Sequence, residues 1–340
     1  MRVSRRMYVL IVAMETRKKV SILILAFNEE ENMSRVFDGL GKESDKLSEY
    51  DFEFIILDNS STDGTREVSL NHCRKNTNWK YIRYSRNFGA EASLQAGIDH
   101  SEGDAVIVFC ADMQDPPEYI AEMLFKWEAG AEVVSGILNE RNDDNFLKTL
   151  GAKIAYNLIY RLTDSRIPPN ATSFRLLDKR VVTVLRQMRE PDRYFRGLVH
   201  WVGFSQGHFG YDRKKRLAGA SNAGIFHCIV YALNAIICFS SRPMHLSMFF
   251  GIFLTGLSIF SSIVYSLLFF LKPRFLAPPP PGTTTLIILA LFLVGMNSLF
   301  LGIIGEYVGR IYRQGKNRPL YIVAESMNLD CALDRRNSDS

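Results

Sequence analysis

The sequence predicts an α/β protein: a mostly parallel sheet with helices on both faces, followed by a membrane-associating C-terminal third. Three observations carry this. Continuous apolar runs alternate with helical stretches in the first half, each major run is followed by an acidic or amide-rich segment, and two long uncharged stretches lie beyond residue 245. The 340 residues suffice for one large domain and a smaller one. With 47% hydrophobic and 23% charged residues, disorder is excluded for most of the length. A net charge of only +5 gives no sign of a nucleic-acid partner.

The elements follow in order. Residues 1–19 read as an N-terminal extension, because the apolar stretch Met7–Met14 is too short to span a membrane and precedes no small-residue cleavage site. Val20–Phe27 is a continuous apolar run, the mark of a strand buried on both faces, and Phe52–Leu57 and Ala105–Phe109 look the same. Glu132–Ser135 is a shorter candidate. Helices are expected around Glu30–Leu40, Ala90–His100 and Pro117–Ala129. Strands alternating with helices give a parallel sheet covered on both faces, with ligands at the carboxyl ends of its strands.

The main domain is expected over residues 20–220, an interfacial amphipathic helix over 221–242 and a transmembrane hairpin over 243–312. Leu246–Leu271 is 26 residues without a charge, which as a helix would run ~39 Å at ~1.5 Å per residue, enough to cross the hydrocarbon core. Thr283–Gly305 is a further 23, ended by Glu306, and Pro278–Pro281 marks the turn between them. The spans are placed at about 246–271 and 284–306. Arg213-Lys214-Lys215-Arg216 and Arg310, Arg313, Lys316 and Arg318 flank the pair, whereas the connecting loop has Lys272 and Arg274. The positive-inside rule then puts both termini and the main domain on the cytoplasmic face of the inner membrane. The first basic cluster reads as a lipid-headgroup contact. Residues 313–340 form a polar cytoplasmic tail, expected to be without structure after Glu325. Five cysteines without a CxxC pair argue against a disulfide framework or structural zinc.

Three polar segments converge on one edge of such a sheet: Asn28-Glu29-Glu30-Glu31-Asn32, Asp58-Asn59-Ser60-Ser61-Thr62-Asp63-Gly64-Thr65, and Cys110-Ala111-Asp112-Met113-Gln114-Asp115-Pro116-Pro117-Glu118. Hard oxygen ligands gathered at one crevice suit Mg²⁺ or Mn²⁺ holding a diphosphate. Each segment alone would also serve as a turn or a helix start. The scattered histidines show no ligand spacing. The aromatic group Tyr194, Phe195 and Trp201 suits either an acceptor groove or helix packing.

The chain resembles family 2 glycosyltransferases of the GT-A fold, in the branch of polyprenyl-phosphate glycosyltransferases related to dolichyl-phosphate mannose synthase and the bacterial GtrB proteins. The resemblance rests on Phe27-Asn28-Glu29-Glu30, Ser61-Thr62-Asp63-Gly64-Thr65, Arg86-Asn87-Phe88-Gly89, Ala111 to Glu118, Phe174-Arg175-Leu176, Arg196-Gly197-Leu198-Val199 with Trp201, Arg216-Leu217-Ala218-Gly219 and Gly305 to Arg310. It implies a membrane-bound inverting transferase that moves a sugar from a UDP- or GDP-sugar to a polyprenyl phosphate of the undecaprenyl type for cell-envelope glycan synthesis. It further implies a homo-oligomer among membrane lipids and no nucleic acid. Phe27, Glu29, Asp58 and Asn87 would bind the donor, and Asp112 and Gln114 the metal. Asp112, Asp115 and Arg175 would serve catalysis, with Arg141, Arg175 and Arg216 on the acceptor phosphate.

The chain departs from the family pattern at Cys110 and Ser173, where the family carries aspartates, at Asn59, and at Ala90 and Asn222, where lysine is usual. A thiol is a poor ligand for a hard cation. The alternative is therefore a binding or scaffolding protein of the same fold with impaired catalysis.

Overall fold

The computed structural model describes residues 17–139, 168, 170–214, part of 249–267, and 282–329. Eight strands form one sheet: β1 (Lys18–Ala26), β2 (Tyr50–Asp58), β3 (Trp79–Tyr84), β4 (Ala105–Cys110), β5 (Val133–Leu138), β6 (Ala171–Asp178), β7 (Gln206–Tyr211) and β8 (Val323–Met327). The helices are α1 (Glu30–Lys46), α2 (Thr65–Lys75), α3 (Ala90–His100), α4 (Ile120–Glu128), α5 (Lys179–Gln187), α6 (Phe195–Trp201) and α7 (Thr283–Gly315).

The strand order is β7-β5-β6-β4-β1-β2-β3-β8. Pairings β1–β2, β1–β4, β2–β3 and β5–β7 are parallel, whereas β6 runs antiparallel to β4 and β5, and β8 antiparallel to β3. The expected mostly parallel sheet is thus present, in mixed form. After β1 the chain builds outward through β2 and β3, then crosses back to place β4 on the other side. The crevice at the carboxyl end of β1 is therefore the topological switch point where ligands bind in open α/β sheets.

Both faces are covered, which is why the central strands read as unbroken apolar runs. Val20, Ile22 and Ile24 of β1 face a core completed by Met33, Val36 and Leu40 of α1, Leu70 of α2 and Met123 and Leu124 of α4. Leu23, one step out of phase, faces the opposite core with Leu94 and Ile98 of α3, Val181 and Leu185 of α5 and Leu198 of α6. Gly97 lets α3 approach closely, since a Cβ there would press on Leu57 and Leu23 at 2.7 and 2.8 Å.

The C-terminal third differs from the expectation in two ways. Helix α7 does not stop at Glu306 but continues to Gly315, so its 33 residues span about 50 Å, more than the ~30 Å hydrocarbon core. Near its end Arg313 pairs with Asp192 at 2.9 Å. Within it Phe292–Gly315 is, among the described residues, the one helix long and apolar enough to cross a membrane. The positions described between 249 and 267 are helical, with Phe249, Phe253, Ile259 and Phe260 exposed. The rest of the expected first span, the interfacial helix and the proline-rich turn lie outside the described residues, as do residues 1–16.

The second difference is β8. The chain, expected to lose structure after Glu325, instead holds a strand through Met327 that pairs with the free edge of β3. Exposed β3 would otherwise present a row of unpaired backbone groups. Arg66 grips Glu325 with two bonds of 2.8 Å, and Asn328 Nδ2 donates to the carbonyls of Cys73 and Trp79 at 2.8 Å. Its strand character comes from that partner, because Val323-Ala324-Glu325-Ser326-Met327 is only five residues long and none of them is fully buried.

Candidate active site

The loops that leave β1, β2 and β4 meet at the switch point, and each contains a non-glycine residue in the left-handed region: Asn28 (φ 55°), Ser60 (φ 63°) and Met113 (φ 54°). Such backbone is disfavoured for residues with a Cβ and gathers where surrounding bonds hold it for function. Those bonds are on view. Asn28 N donates to Ser61 Oγ at 3.0 Å and Thr62 N to Asn28 Oδ1 at 2.8 Å. Glu29 N donates to Thr65 Oγ1 at 2.9 Å, and Gly64 N to Glu30 Oε2 at 2.8 Å. A Cβ at Gly64 would collide with the Glu30 carboxylate. Burial alone would raise the Asp63 carboxyl, but bonds from the Thr65 hydroxyl and amide and from Glu30 N hold it below the usual range.

On the donor side, Phe27 is 41% exposed at the mouth of the crevice. Glu29 is largely buried and accepts from Asn32 Nδ2 at 2.6 Å. Asp58 lies beneath the surface, fully buried, its Oδ2 accepting from the Tyr81 hydroxyl at 2.6 Å and its Oδ1 from Ser61 N at 2.8 Å. In this arrangement Asp58 organises the loop from below. Exposed Asn87 sits above Asn59, and the two are locked together. Asn59 Nδ2 donates to Asn87 Oδ1 and Asn59 Oδ1 accepts from Phe88 N, both at 2.9 Å. An aspartate at 59 could not make the first bond, so this departure has a built structural use. Gly89 N also donates to Asn87 Oδ1, at 2.9 Å.

On the β4 side, Asp112 is half-buried and accepts from Gln114 N at 3.2 Å through one oxygen. Asp115 is buried. Its Oδ1 lies 2.6 Å from the Tyr211 hydroxyl and 3.4 Å from Arg213 Nε, and Tyr211 is also 3.0 Å from Thr172 Oγ1. Burial raises the Asp115 carboxyl, with Arg213 and Tyr211 opposing. Burial, reinforced by Asp115 and Asp112, also pushes the Cys110 thiol far up, so it stays protonated and offers no thiolate. Among the described residues no group of three or more His, Cys, Asp or Glu side chains is arranged to hold a metal ion.

Arg175 takes a different place from a surface phosphate ligand. It is fully buried, its Nη2 donates to the carbonyl of Thr172 at 2.6 Å, and its guanidinium lies 5.8 Å from the Phe195 ring. It supports the start of β6 from within. Arg141 and Arg216 lie outside the described residues. The structure instead brings Arg196 and Arg213 to the site. Arg196 Nε and Nη2 lie 3.3 and 3.2 Å from Ser173 Oγ. Arg213, read from sequence as a headgroup contact, turns inward to Asp115, while Lys214 donates from its backbone to the Gln114 carbonyl and pairs with Glu118 at 3.2 Å. The signal for Arg213 was its place two residues past Tyr211, the last residue of β7. Tyr194 and Phe195 are core residues, whereas Trp201 is 64% exposed. Burial, then the nearby Arg175 charge, pushes His200 down to about 4, so it is neutral at physiological pH.

Comparison with known proteins agrees with this arrangement. The profile described as glycosyl transferase family 2 matches residues 21–186. An uncharacterized glycosyltransferase of Synechocystis, sll0501, is 36% identical over 312 residues, covering 92% of this chain and 96% of the relative. The uncharacterized glycosyltransferase YkcC of Bacillus subtilis is 34% identical over 91% of this chain and 94% of its own. The SfII prophage-derived bactoprenol glucosyl transferase of Shigella flexneri is 32% identical over 91% of this chain and 98% of its own. These similarities extend well past the matched domain into the apolar C-terminal third, and with them the chain belongs to glycosyl transferase family 2 and is a glycosyltransferase.

Proposed function

We propose that the protein transfers a hexosyl group from a nucleotide-sugar to a polyprenyl phosphate at the cytoplasmic face of a membrane, supplying lipid-linked sugar for cell-envelope glycan. The observation that carries this is the near full-length similarity to a bactoprenol glucosyl transferase, apolar C-terminal third included. The donor, a UDP- or GDP-sugar, would lie across the β1 and β2 loops with Phe27, Glu29 and Asn87 at its nucleoside and Asp58 shaping the pocket floor. Its diphosphate would face the β4 loop.

Asp112 and the Gln114 carboxamide are hard oxygen donors side by side on that loop. They suit a Mg²⁺ or Mn²⁺ ion whose remaining ligands are diphosphate oxygens and water, since such ions need only one or two protein carboxylates beside a phosphate substrate. When bound, the ion would neutralise charge on the departing diphosphate. Cys110, held as a thiol, takes no part in holding it.

The acceptor phosphate is already an anion, so positioning and charge neutralisation matter more than deprotonation. One of its oxygens forms a bond to the anomeric carbon as the bond from that carbon to the diphosphate oxygen breaks, the nucleoside diphosphate leaving with the electron pair. A single displacement of this kind inverts the anomeric centre. Arg196 and Arg213 would receive the lipid phosphate, with Arg141 and Arg216 as further candidates and Arg175 as support. The helix ending at Gly315 and the apolar positions between 249 and 267 would form the membrane hairpin, and a homo-oligomer would bring several such hairpins together.

The test uses protein purified in mild detergent with undecaprenyl phosphate, Mg²⁺ or Mn²⁺, and labelled UDP- and GDP-sugars. Label entering the lipid phase from one donor is the expected result. Activity appearing only in a Cys110→Asp/Ser173→Asp double variant would instead establish the non-catalytic alternative, and label passing to a water-soluble acceptor but never to the lipid would sink the polyprenyl reading.

A further inference from the structure

The chain leaves α7 at Gly315 and returns to the sheet, and the residues it brings back do more than close an edge. Because β8 is antiparallel to β3, its first residue, Val323, lies beside Tyr84 at the carboxyl end of β3. Its last, Met327, lies beside Tyr81, toward the amino end. The returning segment therefore enters at the rim that carries the switch-point loops and leaves toward the opposite one. Tyr321 and Ile322, which precede the strand, meet the chain where β3 gives way to the loop Arg86 to Gly89. There Ser85 N donates to the Ile322 carbonyl at 3.0 Å.

Tyr321 is held by both its hydroxyl and its ring. The hydroxyl donates to Asp99 Oδ2 at 2.8 Å, and Asp99 is itself fixed by Arg189 Nη1 at 2.6 Å and Gln95 Nε2 at 2.8 Å. The ring centroid lies 5.9 Å from that of Tyr84, and Tyr84 meets Phe88 edge-on at 6.5 Å. Phe88 and Tyr321 both pack against the buried cluster that contains Tyr84. Phe88 is also the residue whose amide donates to Asn59 Oδ1, so the loop bearing Asn87 rests on an apolar cluster that Tyr321 helps to complete. The same segment backs the loop after β2. Glu325 stands opposite Arg83 in the strand register and takes both bonds from Arg66, one residue past Thr65. Arg83 Nη2 donates to the Ser61 carbonyl at 3.1 Å, next to left-handed Ser60. Supporting contacts of this kind fix the groups in front of them without touching a ligand.

We propose that Tyr321 is a positioning residue for the donor: the segment returning from the long apolar helix completes the support behind the Asn87 loop. Nucleotide binding thereby depends on chain that lies far beyond the family 2 match over residues 21–186. The role rests on the nucleotide-sugar reading above. A loop already held in place loses less conformational freedom when the nucleotide binds. Removing the Tyr321 ring therefore weakens donor binding in ground state and transition state alike, which raises KM and leaves kcat unchanged.

The measurement is calorimetric binding of UDP and of GDP, with Mn²⁺, to detergent-purified full-length protein, beside transfer from labelled UDP- and GDP-sugars to undecaprenyl phosphate. Tyr321→Ala is expected to weaken at least fivefold whichever diphosphate the wild type binds, and to raise the donor KM to match. Its kcat and its KM for undecaprenyl phosphate should stay within twofold of wild type. Tyr321→Phe, which keeps the ring, should stay within threefold throughout. Asn328→Ala is the control at the far end of β8: it loosens the strand away from the donor loops and should leave nucleotide affinity within twofold. Wild-type affinity in Tyr321→Ala, or an equal loss in Asn328→Ala, would overturn the positioning role while leaving the nucleotide-sugar reading intact. A fall in kcat with an unchanged donor KM would also overturn it. A wild type that binds neither UDP nor GDP would overturn the donor reading and this role with it. Should Tyr321→Ala not fold, amide exchange of the wild type carries the test: the bound diphosphate should slow exchange over residues 321–327 at least threefold, and unchanged exchange there would refute the proposal.

Discussion

The two rims of the sheet use the same residue types and handle charge in opposite ways. At the amino ends of the parallel strands, Glu53 is buried between Lys80 Nζ at 2.8 Å and Lys19 Nζ at 3.1 Å, with Glu102 closing the group at 2.6 Å from Lys19 and 3.2 Å from Lys80. Ser21 Oγ donates to the same Glu53 carboxylate and Glu102 N adds a bond of 2.7 Å. Every charge there meets an opposite one. At the carboxyl ends the pairing is looser, with Arg213 Nε 3.4 Å from Asp115 and Lys214 3.2 Å from Glu118. Asp112 is half-buried with one oxygen accepting from Gln114 N, Arg196 lies beside the Ser173 hydroxyl, and three loops hold left-handed residues. The first rim is built for stability and the second keeps polar groups available for ligands. A substitution should therefore move stability at one rim and activity at the other.

The largest effect is expected from Asp112→Asn. Loss of the carboxylate that would hold the cation should lower kcat by about a hundredfold or more, a change of several kcal/mol in barrier, with Tm within about 2 °C of wild type. A large fall in Tm would break the comparison. At the opposite rim, Glu53→Gln strands Lys80 in a buried position. It should cost about 3 kcal/mol, the lower end for breaking a buried pair because Glu102 remains, while turnover per folded molecule stays unchanged. Denaturant unfolding and the lipid-transfer assay read the two quantities separately.

A pH series sharpens the same contrast. Burial alone would raise the Glu53 carboxyl, but hydrogen bonds from Lys80, Ser21 and the Glu102 amide hold it below the usual range. The Lys19 hydrogen bond does the same for Glu102. Carboxyls lowered in the folded state contribute stability that is present above their unfolded value of about 4.3 and lost as pH falls through the folded value. Wild-type Tm should thus fall below about pH 4 more steeply than that of Glu53→Gln; parallel curves would assign the acid sensitivity elsewhere. Smaller still is Asn328→Ala. It removes two bonds to the α2–β3 corner and should cost about 1–2 kcal/mol, loosening β8 as read by amide exchange of β3. The smallest effect is Asn59→Asp, which exchanges the donor to Asn87 for a second acceptor. A donor KM raised a few-fold with kcat unchanged is expected, and an improved KM would mean the Asn59–Asn87 bond serves no binding role.

Much of this rim was legible before folding because the chemistry is local. Phe27 to Asn32, Asp58 to Thr65 and Asp112 to Glu118 are contiguous, each follows an apolar run, and strand ends in such sheets face ligands. What was missed depends on distant partners. β3, Trp79-Lys80-Tyr81-Ile82-Arg83-Tyr84, is interrupted by charges that look exposed until Glu53 and Ser61 are found to receive them. Arg175 reads as a phosphate ligand, and only the antiparallel insertion of β6 between β4 and β5 shows it to be buried. Ser173 read as a lost carboxylate, and only the fold showed Arg196 seated on it.

The sequence by itself determined the α/β alternation, the switch-point loops and the long apolar helix, because burial on two faces and the absence of charge are properties of consecutive residues. Tertiary structure alone decided that the tail closes the β3 edge and that Arg213 turns inward to Asp115. Those arrangements join residues up to 259 positions apart, as in the Arg66–Glu325 pair. No local pattern encodes them, since a strand edge or a buried charge specifies the chemistry of its partner but not where along the chain that partner lies.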